Sequence, residues 1–530
     1  MKPSPQPSPK RRGRLQRKIP ATMATQHPDH AARPFWHTES FIPAIEEARE
    51  LFLSFADLGI SEYMWDWEGK LVDESILERL YGEKYHFFKK LPLGKERFLT
   101  FRLPNSKVEN EFRLGRALIG MLSSASMAKK VGMHSPPLFE VILPMTESAG
   151  EMISVQEAFA EIANLKHPLN KFQKNLLPHI LLIPLFEQVN TIIYSDKILE
   201  RYLLLHKKIF GSKPEYMRPF VARSDPALNS GLVPTVLAIK IAFSRYKKFA
   251  KKHKIALYPI IGCGALPFRG GLYPLRPERF LNEYKGVRTV TIQSAFRYDY
   301  PKLTVIKAIK ILEAGLPKGQ AADIAPADEA KLIKAIKGFE LAYRQSVEKI
   351  APLINDLAKH LPKRRERVQH IGLFGYSRGL GKVSLPRAIS FTAALYSLGI
   401  PPELIGTGRG LAAARKSGNL SLVERHYTNL KHDLYFAGKF FYRQGLVNLA
   451  KKSPAWKNVL KDVGEIEKYL GKPLAPKYLN EQEHQLISAR IHQNLKNPSR
   501  PGKTSNRSEA GGKHLSDLIE QAAILRHSMG

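Results

Sequence analysis

Short apolar runs alternate with longer stretches of helical spacing from about residue 40 to residue 300. This alternation is typical of βα units that build a parallel sheet or barrel. We predict strands at the apolar runs 58–60, 98–103, 139–143, 180–183, 217–222, 257–261, 288–292 and, further along, 370–374. The predicted helices include 154–163, 233–248 and 302–314, and a long helical region follows the last strand.

Acidic and arginine side chains recur where these predicted strands end. Arg102 lies near the end of one run, and Glu187, Asp225 and Arg269 each follow another. In a (β/α)8 barrel the carboxyl ends of all strands share one face, so such residues would converge on one pocket. We therefore predict a TIM-type (β/α)8 barrel with additional α-helices, mostly C-terminal.

The segment 262–271, GCGALPFRGG, places Arg269 among glycines directly after a predicted strand. Glycines allow close approach of the backbone, and a planar guanidinium can bind two oxygens of a phosphate or a carboxylate. The alternative is a tight turn whose arginine pairs with a neighbouring acid. The segment by itself leaves both interpretations open.

Composition adds limits on the class of protein. The chain has 530 residues, of which 43% are hydrophobic and 25% charged, as in ordinary globular proteins. No apolar run reaches the roughly 18 residues of a membrane span. Because Cys263 is the only cysteine, no intramolecular disulfide can form, and we expect a reducing, cytoplasmic location. The net charge of +35 would attract nucleic acid, anionic membranes or acidic metabolites alike.

The chain divides into a short extension and one large domain. Residues 1–22 contain seven basic residues and no acid, so we predict a disordered basic extension, with Met23 as a possible initiator. A basic arm for RNA is the alternative. Residues 23–530 are predicted to form one barrel domain with helical additions. Within it, the polar segment 497–513, rich in glycine and proline, is predicted to be a mobile loop.

Four ordered motifs point to a family. They are TQHPD at 25–29, PLFE at 184–187, ARSDPALNSG at 222–231 and GCGALPFRGGL at 262–272. With them the chain resembles the archaeal-type phosphoenolpyruvate carboxylases. The resemblance continues through the segments at 363–378 and 385–406 to Gly530.

This resemblance implies a homotetrameric barrel enzyme that converts phosphoenolpyruvate and bicarbonate to oxaloacetate and phosphate with Mg²⁺ or Mn²⁺, an anaplerotic fixation of carbon dioxide. Glu187 and Asp225 match the metal-ligand positions of the family, although two such acids could also be helix caps or ion-pair partners. His27 matches the catalytic histidine, which takes a proton from carboxyphosphate. Its alternative is a turn histidine before Pro28, with Asp29 capping a helix.

Arginines complete the implied site. Arg269 matches the loop arginine that steadies phosphate and bicarbonate. We predict that four further arginines bind phosphate or carboxylate, although each could equally form a surface ion pair; these are Arg102, Arg223, Arg288 and Arg297. Lys363 matches a position that helps bind inhibitory aspartate in the bacterial and plant branch. The alternative there is a solvated basic run.

Two other functions remain open from the sequence. Another phosphoenolpyruvate or pyruvate barrel enzyme, a kinase or an aldolase-type lyase, would share the acids and arginines. A basic nucleic-acid-binding protein would need aromatic residues among its basic ones, and residues 1–22 contain none. We therefore expect neither a nucleic-acid nor a membrane partner.

Overall fold

The computed structural model describes residues 18–67, 72–105, 111–165, 176–366, 379–380, 383–496 and 505–530. Eight parallel strands close a barrel in chain order, because β1 pairs with both β2 and β8. The strands are β1 Thr22–Ala24, β2 Glu62–Asp66, β3 Phe98–Arg102, β4 Glu140–Leu143, β5 Leu181–Phe186, β6 Phe220–Ala222, β7 Ile260–Gly262 and β8 Thr289–Ile292. The predicted (β/α)8 barrel is confirmed. A small antiparallel pair, β9 Gly379–Leu380 and β10 Val383–Ser384, lies outside it.

Helices surround the barrel and dominate the C-terminal half, as predicted. Those that connect the strands are α1 Glu47–Ala56, α2 Ile76–Lys90, α3 Glu111–Lys130, α4 Ala149–Ala163, α5 Val189–Ile193, α6 Ser195–Phe210, α7 Ser224–Ser230, α8 Leu232–His253, α9 Pro277–Glu283, α10 Ser294–Tyr298 and α11 Lys302–Gly315. The additional helices are α12 Pro326–Ala358, α13 Ala388–Ser397, α14 Thr407–Lys416, α15 Leu420–His426, α16 Leu430–Gly438, α17 Arg443–Ala450, α18 Pro454–Leu470, α19 Leu479–Lys496 and α20 Ser505–Leu525.

The barrel strands are buried on both faces, which explains their continuous apolar runs. In β5, Ile183 and Leu185 point into the barrel interior, whereas Leu182 and Phe186 pack outward in the larger core shared with the helices. The period of two follows from strand geometry. Since side chains fill the barrel, a site can form only at its rim.

One strand lies later in the chain than the apolar pattern indicates. The run 58–60 was predicted to be a strand with Glu62 beyond its end, but Glu62 begins β2. Its carboxylate is buried inside the barrel, 2.6 Å from the guanidinium of Arg218, which also pairs with Glu140 at 2.6 Å. A buried ion cluster therefore occupies one layer of the barrel, and of its three members only Glu62 lies outside the predicted strands.

The folded part also differs from the predicted boundaries at both ends. Residues 19–22 are buried, and Val290 N–H donates to the carbonyl of Ala21 at 2.9 Å, so residues 18–22 belong to the fold and not to the extension. Near the other end, α20 begins at Ser505, within the segment predicted to be a loop. The predicted strand 370–374 and residues 1–17 lie outside the described residues.

Taken singly, none of the helices in the described ranges is both long and apolar enough to cross a bilayer. The segments Ala388–Ser397 and Pro402–Lys416 meet the length and composition requirement only as a pair bent by 93°.

Candidate active site

The carboxyl ends of the barrel strands form one rim, and most of the predicted site residues follow them. These are His27 after β1, Arg102 at the end of β3, Glu187 after β5, Arg223 and Asp225 after β6, Arg269 after β7 and Arg297 after β8. The sequence placed these residues near strand ends. The structure adds what each side chain contacts.

Arg269 lies at the centre of this rim and is only 1% exposed. Its guanidinium donates to Asp29 at 3.0 Å, to Ser224 at 3.1 Å, to the side chain of Gln293 and to the main-chain oxygen of Gly530. These bonds use four of the five N–H groups of an arginine. Arg269 therefore joins the loops after β1, β6 and β8 to the C-terminal residues.

The glycines around Arg269 allow this packing. A Cβ atom on Gly264 would lie 2.8 Å from the Arg269 guanidinium carbon, and one on Gly270, whose φ is +132°, would lie 2.8 Å from the sulfur of Cys263. Larger side chains at either position would displace the arginine loop. The close approach predicted for these glycines thus serves the protein's own guanidinium, which pairs with an acid distant in the sequence.

Arg223 binds the main chain of the loop that carries Arg269. It is buried and donates to the carbonyl oxygens of Pro267 and Phe268 and to the hydroxyl of Tyr284, each at 3.1 Å. Burial raises the pKa of the Cys263 thiol, although the guanidiniums of Arg223 and Arg269 oppose the rise. Arg223 therefore positions the arginine loop, and its contact with substrate stays a prediction.

His27 is half-buried at the rim, with Nδ1 2.8 Å from the hydroxyl of Thr25. Its main-chain oxygen accepts hydrogen bonds from the Ser294 hydroxyl and from the Asp29 N–H, the latter at 3.1 Å. These contacts fix both the ring and the backbone. The Asp29 carboxylate caps helix α10, since it accepts a hydrogen bond from the Ala295 N–H at 2.8 Å.

Asp29 contacts both His27 and Arg269, because its N–H donates to the His27 carbonyl and its carboxylate accepts from Arg269. Burial raises the pKa of Asp29 above its ordinary value, while the Arg269 guanidinium and the Ala295 N–H oppose the rise. The main-chain oxygen of Asp29 accepts from the Met529 N–H at 2.7 Å. The last described residues of the chain are therefore docked against the histidine loop.

A buried cluster behind His27 holds this loop from the other side. Arg297 donates to the Thr25 carbonyl at 2.7 Å and to Glu50 at 2.9 Å, and Arg365 donates to both oxygens of Glu50 at 2.6 and 2.8 Å. Burial alone would raise the pKa of Glu50, but Arg365 and Arg297 more than offset it, so this pKa lies below its ordinary value. Arg297 is 0% exposed and holds Thr25 through the bond to its carbonyl oxygen.

Glu50 and Arg365 are not among the residues predicted from the sequence, although buried acids in α1 are a signal for such a cluster. Glu47, Glu50, Leu51 and Phe55 lie at helical spacing on one face of α1, and all are buried. Acids on the apolar face of a helix require buried cationic partners. Arg365 follows Lys363 in a basic run of the kind that is usually solvated.

Arg102 is the predicted arginine that stays closest to solvent at the rim. Its side chain is 12% exposed and forms a bidentate pair with Asp66, at 2.9 and 2.6 Å. The N–H of Asp66 in turn donates to the side-chain oxygen of Gln26 at 3.0 Å. A guanidinium held flat in this way is preorganised to bind a phosphate or a carboxylate.

Glu187 and Asp225 follow neighbouring strands, since β5 and β6 pair through Leu185 and Phe220. A cavity of about 460 Å³ opens beside Glu187 between the loops after β4 to β6 and helix α12. Within the described ranges, no group of three or more His, Cys, Asp or Glu side chains could hold a metal ion. Two carboxylates completed by water and substrate are nevertheless a usual donor set for Mg²⁺, so the residues fit this ion.

Arg288 lies away from the rim, and the basic run that contains Lys363 is only partly solvated. Arg288 precedes β8, so it lies at the amino end of the barrel, and its side chain donates to the Ile19 carbonyl. It cannot contact a substrate at the opposite rim. Lys363 is exposed as the solvated-run alternative expects, but its neighbours Arg364 and Arg365 are buried, so the run as a whole is not solvated.

Comparison with known proteins agrees with the geometry of the rim. The family model for phosphoenolpyruvate carboxylase matches residues 19–530. The phosphoenolpyruvate carboxylases of Oenococcus oeni and Metallosphaera sedula are each 38% identical, covering 98% and 97% of this chain and 100% of their own length. That of Pyrococcus horikoshii is 38% identical over 84% of this chain and 94% of its own. The chain therefore belongs to the archaeal-type phosphoenolpyruvate carboxylase family, as its ordered motifs predicted.

Proposed function

We propose that this chain carboxylates phosphoenolpyruvate with bicarbonate, forming oxaloacetate and phosphate. The observation that carries the proposal is the set of bonds made by Arg269. It binds Asp29, two residues after His27, and Ser224, the residue before Asp225. One buried guanidinium thus binds both the loop that carries the candidate base and the loop that carries one candidate metal ligand.

The chain's own residues suit each stage of this reaction. Bicarbonate oxygen attacks phosphorus, the bond from phosphorus to the enolate oxygen breaks, and carboxyphosphate forms beside the enolate of pyruvate. His27 accepts the carboxyl proton of carboxyphosphate, so that its carbon–oxygen bond to phosphate breaks and carbon dioxide is released. The enolate carbon then attacks carbon dioxide to give oxaloacetate.

Glu187 and Asp225 are the residues that would hold Mg²⁺ or Mn²⁺. When bound, the ion supplies Lewis-acid stabilisation of developing negative charge. Arg102, fixed by Asp66, binds a phosphate or carboxylate group of the substrate. Arg269 acts by holding the rim together and by placing positive charge near the site where negative charge develops.

A coupled assay of the purified protein tests the proposal. Oxaloacetate is followed through malate dehydrogenase and NADH, with phosphoenolpyruvate, bicarbonate and Mg²⁺ each omitted in turn. The proposal expects oxaloacetate only when all three are present. Pyruvate formation that does not depend on bicarbonate would favour a kinase or a lyase instead.

The proposal extends to the assembly, location and control of the enzyme. We propose a cytoplasmic homotetramer, as the resemblance to the family implies, and light scattering after gel filtration measures its mass. Lys363, which is exposed, would contribute to inhibition by aspartate or malate. Inhibition that is unchanged in Lys363→Ala would exclude this role.

A further inference from the structure

A groove crosses the amino end of the barrel, opposite the proposed active site. It consists of two cavities, of about 550 Å³ and about 210 Å³, that share Lys18, Gly59 and Glu313. The larger cavity is also lined by Arg288 and the smaller by Arg97. The groove lies under the starts of β8, β1, β2 and β3, which are consecutive in the barrel.

Arg97 and Arg288 form no ion pair with a carboxylate among the described residues. Their described side-chain bonds go only to carbonyl oxygens, of Glu96 at 3.2 Å and of Ile19, and neither pairs with a carboxylate in the part of the chain that the structure describes. Nε of Arg97 and Nη1 of Arg288 are buried there without a hydrogen-bond partner. Burial lowers the pKa of both guanidiniums, and nearby Glu313 opposes the change. Such groups are expected to have an anionic partner.

Glu313 acts electrostatically on both arginines but forms no ion pair with either one in the described residues. Glu313 Oε1 accepts hydrogen bonds from the hydroxyls of Thr22 at 2.5 Å and Ser61 at 2.7 Å. Asp57 also lines the larger cavity, but it pairs with Lys302 at 2.6 Å. Glu96 also lines the smaller cavity and acts on Arg97. The lining therefore has four cations, Lys18, Arg97, Arg288 and Lys310, against three carboxylates, one of which pairs with Lys302, so its net charge is positive.

Segments of the chain outside the described residues do not offer an obvious counter-charge. Residues 1–17, which lead into Lys18, contain no aspartate or glutamate. Glu68 and Glu109 come after the carboxyl ends of β2 and β3 along the chain, whereas the groove lies at their amino ends. An anion from solution can supply the missing negative charge.

We infer that this groove binds small organic anions that carry phosphate or carboxylate groups. Arg288 and Lys310 receive an anionic group at one end, Arg97 receives one at the other, and Lys18 serves both. Three strand spacings of about 4.8 Å separate β8 from β3, so the two arginines serve different ends of the groove. The apolar wall of the larger cavity, which includes Ile306 and Ile309, would contact the carbon skeleton.

Titration calorimetry with inorganic phosphate and with succinate tests the inference, and the two probes separate the two kinds of anion. The test variant is the double substitution Arg97→Gln with Arg288→Gln. The control is Lys307→Gln with Lys318→Gln, which removes the same charge from exposed positions outside the groove. Arg102→Gln separates binding in the groove from binding at the opposite rim.

We expect at least one probe to lose about tenfold or more in affinity in the arginine double variant. The control and Arg102→Gln keep that binding. Because Arg288 also holds Ile19, a second pair, Lys18→Glu with Lys310→Glu, reverses charge at exposed positions and must weaken binding too. Absence of binding in the wild type, equal affinity in the arginine variant, or equal loss in the control would overturn the inference.

Discussion

Arg269 donates a hydrogen bond to Asp29 at 3.0 Å, although 240 positions separate the two residues in the chain. The pair is buried and connects the loop after β7 to the loop that carries His27. The same guanidinium reaches Ser224 beside Asp225. The geometry of the rim therefore depends on this one side chain.

Arg269→Lys should lower kcat by roughly a hundredfold or more, because an ammonium on a flexible stem cannot make four bonds with fixed geometry. Steady-state kinetics and thermal melting measure activity and folding separately. The matched control is Arg276→Lys, at an exposed position after the same loop. Wild-type kcat in Arg269→Lys would show that the loop does not need a guanidinium.

Glu187→Gln and Asp225→Asn should each raise the Mn²⁺ concentration for half-maximal activity by about tenfold or more, since each removes one of two carboxylate donors. Spin resonance of free Mn²⁺ measures binding without turnover. Glu161→Gln, in an exposed part of α4, is the control. If Mn²⁺ binding were the same in all three variants and the wild type, neither acid would be a ligand.

Glu50→Gln should destabilise the fold by roughly 3 kcal/mol at pH 7, because two buried guanidiniums lose their counter-ion. The lowered pKa of Glu50 means that its stabilisation is complete above the ordinary value of 4.5 and is lost as the pH falls through the lower folded value. The difference between variant and wild type should therefore shrink in acid. Urea unfolding at several pH values measures it.

The control for Glu50→Gln is Glu46→Gln. Glu46 lies before α1, and its carboxylate forms a long ion pair with Arg49, at 3.7 Å. It should change stability by less than about 1 kcal/mol. An equal loss in both variants would contradict the structural role of the buried cluster.

How far the sequence could predict this site depends on what each residue contacts. The βα alternation located β3 to β8, because strands buried on both faces are continuous apolar runs. The pattern did not predict β1, which has only three residues. It misplaced β2, because this strand contains two charged residues: Glu62, paired with Arg218 inside the barrel, and Asp66, paired with Arg102 at the rim.

The roles of the arginines were harder to predict. A strand-end position puts Arg223 and Arg297 near the rim, but only the fold shows that carbonyl oxygens and Glu50 take up their donors. Arg288 directly precedes β8, so it lies at the amino end of the barrel, opposite the rim. Asp29, Gln293 and Gly530 meet Arg269 from positions distant in the sequence, and no local pattern encodes such contacts.

Glu403 should make stability fall as the pH rises. It accepts from the Phe268 N–H at 2.9 Å and from the Tyr396 hydroxyl at 2.7 Å, and burial raises its pKa to about 7. The folded state therefore holds a proton that the unfolded chain releases above 4.5, so stability decreases between pH 4.5 and 7. The total change is about 3 kcal/mol.

Glu403→Gln should remove this decrease, because an amide keeps the acceptor oxygen and does not ionise. Urea unfolding from pH 5 to pH 8 compares it with the wild type and with Glu278→Gln, at an exposed position of α9. A decrease of the same size in Glu403→Gln and the wild type would assign the effect to another group.

The most direct test of the proposed chemistry is the rate of oxaloacetate formation by His27→Asn, with phosphate release measured in parallel. The variant removes the base but keeps a polar side chain beside Thr25. We expect oxaloacetate formation to fall by about a hundredfold or more, with an unchanged melting temperature. Oxaloacetate formation at the wild-type rate would contradict the assignment of His27 as the group that accepts the proton.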